Sequence, residues 1–218
     1  MKKLIITLAI ALSAQLYVQA QPVYSNIVGM VKHELPVGGI KIVALQFPEN
    51  EDSVVLGNAF TNLGDNSVLY VWNANNTYIK YTYFDGFGWF DGGTNVDSVE
   101  IKQGTGLWLS DGGSGSSPVQ SGNVPNAESF DVAIVAGLNM IANPYPVNLK
   151  FGDLDTSEMS DEDEIYAWNG TSYAKYTFFQ GFGWFDGGTN VDETEIPAGQ
   201  GFWLQAGVAG TITFAKPY

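Results

Sequence analysis

Asp91, Asn95 and Asp97 put three oxygen-bearing side chains within one short stretch, and Phe87, Trp89 and Phe90 put three aromatic rings directly before them. The same set returns as Phe182, Trp184, Phe185, Asp186, Asn190 and Asp192. Aromatic faces lie well on the C–H side of a pyranose, while carboxylates and amides bond its hydroxyls. Each copy is therefore expected to offer a carbohydrate-binding surface with at least one exposed ring. The competing reading is structural: Trp89 and Phe90 plug the core while Gly86, Gly88, Gly92 and Gly93 shape a turn. The oxygens also invite a calcium test, at Asp91, Asn95 and Asp97 and at Asp186, Asn190 and Asp192. Their spacing departs from the calcium-loop pattern and lacks its bidentate Glu, and ordinary turns place Asp and Asn beside Gly as well. Calcium is the single cofactor the sequence raises.

These residues belong to one phrase, GFGWFDGGTNVD, written at 86–97 and again unchanged at 181–192. Such a repeat marks a tandem duplication of one folding unit. The match extends from Tyr81–Leu109 to Tyr176–Leu204 at a constant offset of 95, with Tyr70-Val71-Trp72-Asn73 answering Tyr166-Ala167-Trp168-Asn169 one residue out of step. Gly39 and Pro48 answer Gly137 and Pro146, and Val119-Gln120 falls opposite Phe214-Ala215. The units are placed at 28–125 and 126–218, with the junction at Ser121–Ala127. Ser110–Ser117 (SDGGSGSS) is expected to be a hairpin loop inside unit one. Segments such as Ile40–Leu45, Val68–Trp72, Tyr78–Phe84 and Thr211–Phe214 are β-branched and aromatic and are bounded by Gly, Asn or Pro. Asn75-Asn76 and Asn169-Gly170 between strand-like runs signal hairpins. The fold class is all-β: two tandem homologous β-sandwich or barrel-like domains.

Lys2 and Lys3, the apolar run Leu4–Leu12 and Val18-Gln19-Ala20 make residues 1–20 a secretory signal, cleaved after Ala20, with 21–27 as an N-terminal extension. No second hydrophobic span follows, so membrane insertion is not expected. The chain has no cysteine, so burial and sheet hydrogen bonds must hold an exported protein together. Net charge is -14, and subtracting Lys2 and Lys3 leaves 7 Lys against 23 acidic residues, or -16, with no arginine. That surface repels phosphate and excludes nucleic acid. The acidic run Glu158–Glu164 reads as a solvated loop. His33 is the one histidine, with no cysteine nucleophile, G-x-S-x-G, H-E-x-x-H or phosphate loop, so catalytic residues are not expected and the protein reads as a non-enzyme.

The stretches Gly137–Pro146 (GLNMIANPYP), Tyr166–Tyr173 (YAWNGTSY) and Ile196–Leu204 (IPAGQGFWL) resemble the secreted β-repeat segments of surface and extracellular proteins from Bacteroidetes and Verrucomicrobia kinds of bacteria. Unit one follows the pattern less closely, with Leu45-Gln46-Phe47-Pro48 in place of Asn-Pro-Tyr-Pro. The resemblance implies a secreted, extracellular or cell-surface location, with the periplasm as the alternative, rather than a reaction. Taken together, these readings predict a non-catalytic structural or adhesive protein that partners with itself, with matrix or surface components, or with polysaccharide. Self-assembly is expected by strand addition from Gln21–Ile27 and Thr211–Tyr218. The second expectation is a pair of carbohydrate-binding modules using the two aromatic loops.

Overall fold

The computed structural model describes residues 27–50, 52–73, 75–113 and 115–218. The expected signal peptide at 1–20 and all of the extension before Ile27 lie outside them. Unit one comprises β1 (Val28–Lys32), β2 (Ile40–Ala44), β3 (Ser53–Val55), β4 (Val68–Trp72), β5 (Tyr78–Phe84), β6 (Gly88–Asp91), β7 (Thr94–Asn95), β8 (Glu100–Lys102), β9 (Gly106–Ser110) and β10 (Val119–Asn123). Unit two repeats them as β11 (Ser129–Ile134), β12 (Gly137–Ala142), β13 (Leu149–Lys150), β14 (Glu164–Trp168), β15 (Tyr173–Phe179), β16 (Gly183–Asp186), β17 (Thr189–Asn190), β18 (Glu195–Ile196), β19 (Gly201–Ala206) and β20 (Gly210–Ala215).

The sheet orders β2-β9-β4-β5-β6-β7 and β12-β19-β14-β15-β16-β17 are identical in form. Two short ribbons, β3–β8 with β1–β10 and β13–β18 with β11–β20, complete each unit. Alternation along the strands explains the layering. Leu69, Leu107 and Leu109 face a core shared with Val54, Leu56 and Ile101 from the ribbon side. Ile165, Phe202 and Leu204 do the same beneath Leu149, Phe151 and Ile196. Each unit is thus a lopsided sandwich with its own core, and the all-β tandem architecture holds.

The intervening positions, Ile42, Trp72 and Trp108 in unit one and Met140, Tyr166, Trp168 and Trp203 in unit two, point away from these cores into a third apolar cluster between the units. Its contacts are reciprocal. The Trp72 indole N–H donates to the Leu138 carbonyl at 3.1 Å, and the Trp168 indole N–H donates to Ile40 at 3.2 Å. Trp72 stands edge-to-face on Trp203 at 5.0 Å, and Trp168 on Trp108 at 5.5 Å. Ala44 N–H donates to Gly199 while Ala142 N–H donates to Gly104. Residue i meeting j while j meets i is the signature of a two-fold interface, here built within one chain. Gly106 and Gly201 lie close to the pseudo-axis: a Cβ on Gly201 would sit 2.8 Å from Ile42 Cγ2 and 3.1 Å from the Gly106 Cα.

The symmetry is broken on one side. Gln120 Nε2 donates to Ala44 O at 2.6 Å and lies 2.7 Å from His33 Nε2, while Gln120 Oε1 accepts from Gln46 N–H at 3.2 Å. Gln46 Nε2 then donates across to Asn143 O at 2.9 Å and Tyr145 O at 2.5 Å. Val31 and Val132 each press on a partner-unit glycine, Gly199 and Gly104, so they are equivalent. Their strand partners are Gln120 and Ile212. The sequence alignment that set Val119-Gln120 against Phe214-Ala215 is therefore off by three residues, the excess lying in the 111–118 connection.

That connection is not the expected hairpin. Strands β9 and β10 belong to different sheets, as do β19 and β20, so the segment is a corner between layers. Asp111 organises it, its Oδ2 accepting from Gly38, Gly113 and Gly115 at 3.2, 2.7 and 3.0 Å. Burial works to raise the Asp111 carboxyl, but the Gly115, Gly113 and Gly38 N–H bonds outweigh it and hold it below the usual carboxylate range. The chain passes between units over 124–128, where the Tyr145 and Tyr218 hydroxyls donate to Ala127 O and Pro125 O at 2.8 and 2.6 Å. Because Thr211–Ala215 pairs with β11 and Lys216 N–H bonds Glu128 O, the C-terminal segment is committed within its own unit and is not spare for strand addition.

Gly201→Ala forces atoms apart at the pseudo-axis and is expected to cost about 1–3 kcal/mol. Gly93→Ala, with nothing within 4 Å of the added carbon, should be near neutral. Denaturant midpoints of the two variants check this.

Candidate functional site

In the duplicated phrase, β6 and β7 are joined by Gly92-Gly93, with Gly92 at φ +58 as a two-residue hairpin turn of the primed kind requires. Gly88 sits at φ +94, and a Cβ there would overlap the Asp97 carboxylate, so glycine is obligatory. Asp97 Oδ1 accepts from the Trp89 N–H at 2.7 Å, and Oδ2 accepts from Asn95 Nδ2 at 2.9 Å. Asn95 Oδ1 accepts in return from the Asp97 N–H at 3.1 Å. The second copy repeats these distances as Asp192 to Trp184 at 2.7 Å, Asn190 to Asp192 at 2.9 Å and Asp192 to Asn190 at 3.1 Å. The Asp97 and Asp192 carbonyls also accept from Gly57 and Gly152, tying each loop to a single-turn helix, Leu56–Asn58 or Phe151–Asp153.

This geometry corrects the sequence expectation at its centre. Trp89 and Trp184 are each only 1 % exposed and belong to the cores, so neither offers a face to a sugar. The rings at the surface are Phe87 and Phe182, at 75 % and 74 %, with Phe90 and Phe185 half-buried. Flanking phenylalanines complete each patch: Phe84 packs edge-to-face on Phe90 at 5.6 Å and Phe179 on Phe185 at 5.7 Å. In unit one the patch borders a cleft of about 380 Å³ with Asp65 and Asp85 at its edge. The calcium oxygens do not converge. Asp97 and Asn95 satisfy each other and the backbone at the start of β6, while Asp91 sits at its far end opposite Thr94. Asp186 and Thr189 repeat that placement. Among the described residues, no group of three or more His, Asp or Glu gathers as a metal site.

His33 is 4 % exposed within the Gln120 network. Burial, helped by nearby Lys41, pulls its imidazole down to about 4. It is neutral at physiological pH, and its Nε2 is placed to accept from Gln120. No helix among the described residues is long and apolar enough to cross a membrane.

One feature escaped the reading of the sequence. Tyr70, Trp72, Tyr78 and Trp108, with their counterparts Tyr166, Trp168, Tyr173 and Trp203, form edge-to-face chains that bridge the units. A cleft of about 460 Å³ opens among them, lined by Trp72, Tyr78, Tyr166, Tyr173 and Trp203. The signal was present: Leu69-Tyr70-Val71-Trp72 and Leu107-Trp108-Leu109 are apolar at both parities, so those strands have two faces to bury. No protein family, curated protein or solved structure matches this chain.

Asp97→Ala and Asp192→Ala leave the Trp89 or Trp184 N–H without its acceptor and should each cost about 1–3 kcal/mol. Trp89→Ala should cost about 3–5 kcal/mol, whereas Phe87→Ala should stay within about 0.5 kcal/mol; thermal melts separate the three. His33 gives a pH dependence. The unfolded chain takes up this proton near pH 6.5, but the native protein only near about 4. Stability is full above pH 6.5 and falls as the pH drops toward 4, by about 3 kcal/mol from this group. Denaturation at pH 7.5 and pH 4.5 should show His33→Leu losing less than the parent.

Proposed function

We propose that this is an exported, non-catalytic structural or adhesive protein of a bacterial cell exterior. It joins to itself, or to other matrix and surface components, through its two phenylalanine patches. The observation that carries this reading is the exposure of Phe87 and Phe182 at equivalent positions of an unchanged phrase. The fold accounts for Gly86, Gly88 and Gly92 by positive φ, for Trp89 and Val96 by core packing, and for Asn95 and Asp97 by the turn lock. It leaves Phe87 outside the core and Phe90 only half-buried against Phe84, yet both copies keep them. Exposed apolar groups held in place without a packing reason mark an interaction surface.

Export is supported by the signal-like leader and the likeness to secreted β-repeat segments. The non-catalytic reading is supported by the burial of the one histidine. A chain carrying two copies of a self-associating patch builds open strings instead of stopping at a closed dimer. Net charge opposes such contacts, and Asp65 and Asp85 beside the unit-one patch add local repulsion, so salt strengthens association. Sugar binding by the loops themselves has lost its tryptophans and is not the reading favoured at that site.

Sedimentation velocity on the chain from Gln21 onward tests this. Larger species should grow with concentration and with added salt, and the Phe87→Ala/Phe182→Ala double variant should remain monomeric with an unchanged melting temperature. A parent protein that stays monomeric under every condition defeats self-assembly.

A further inference from the structure

We propose that the cleft between the units is a binding site for an uncharged oligosaccharide, distinct from the phenylalanine patches and independent of what they bind. Its walls are aromatic and fixed. Trp203 is 7 % exposed and stands at 85° against Trp72, whose indole N–H is held by the Leu138 carbonyl. Tyr78 and Tyr173 stand at the mouth, 43 % and 44 % exposed, each braced edge-to-face on the tryptophan of its own hairpin at 5.0 Å. The volume of about 460 Å³ falls in the range of about 300–1,000 Å³ that suits small ligands.

The polar groups decide the ligand class. Gln205 lines the cleft, and neither its amide nor the Tyr173 hydroxyl makes a hydrogen bond among the described residues. At the rim the Tyr166 hydroxyl donates to Glu164 Oε2, and Lys175 Nζ donates to Glu164 Oε1 at 2.5 Å. These contacts hold the Glu164 carboxyl below its usual range, the Lys175 hydrogen bond first and the Tyr166 bond next. A purely apolar ligand leaves Gln205 and the tyrosine hydroxyl without partners. An anionic ligand finds no cation among the lining residues, Lys175 being already bonded to Glu164, and approaches a chain of net charge -14. A neutral sugar satisfies both demands, its C–H faces on the rings and its hydroxyls on amide, phenol and carboxylate. Both units contribute walls, so the site exists only where they meet.

Titration of the full chain from Gln21 with soluble β-1,4-glucan, chitin, xylan, mannan and α-1,4-glucan oligosaccharides, read by calorimetry and tryptophan emission, tests this. One class should bind at micromolar to millimolar concentration and shift the emission of Trp72 and Trp203. Tyr173→Ala, at an exposed position, should weaken that binding at least tenfold with an unchanged circular dichroism spectrum. Gln205→Leu should weaken it while leaving any uptake of an apolar dye intact, which loss of packing alone would not do. Phe87→Ala/Phe182→Ala should leave sugar binding unchanged. A silent panel, or binding that survives Tyr173→Ala and Gln205→Leu, overturns the proposal, as does binding lost only in the phenylalanine variant.

Discussion

Four indoles set around two glycines hold this molecule in its arrangement. Each six-stranded sheet buries one face under its own ribbons, but at the β2-β9-β4 end its other face also carries large apolar side chains. A sheet with two dry faces needs a second cover, and the cover here is the equivalent face of the sister unit. Gly106 and Gly201 let the backbones approach, Trp72 and Trp168 reach across, and each indole finds a carbonyl. The indole N–H groups of Trp72 and Trp168 are thereby paired, which removes most of the cost of burying them.

The two-fold relation is approximate, and its departures are chemical. Unit one seals its ribbon with His33 and Gln120, whereas unit two places Ile134 and Ile212 at those positions. Gly29 and Gly122 in unit one make room for Phe47, while unit two puts Phe130 and Phe214 there and packs Phe130 on Tyr145 at 5.4 Å. The Gln46 side chain then crosses to two carbonyls of the opposite turn. The halves are no longer interchangeable.

Much of the architecture was legible in the residues. β-Branched and aromatic composition located Val68–Trp72 and Tyr78–Phe84 at their observed bounds, and the one-residue deletion upstream falls in the β4–β5 turn. The rest was hidden for physical reasons. Three aromatics between glycines pointed to at least one exposed ring without saying which, and Gly88 is required by the Asp97 carboxylate pressing on it, a contact between residues nine positions apart that periodicity does not reveal. The segment after β9 has the composition of a hairpin, while its path between layers is set by a buried aspartate. The aromatic cleft was invisible because its wall comes from both copies, and no single segment contains it.

Fusion into one polypeptide makes the pairing of the two halves independent of concentration. Two free subunits meeting at this surface would separate once diluted below their dissociation constant. Tethered through the short 124–128 crossing, each half sees the other at an effective concentration that no dilution lowers. The shared aromatic chamber therefore persists at any dilution of the chain.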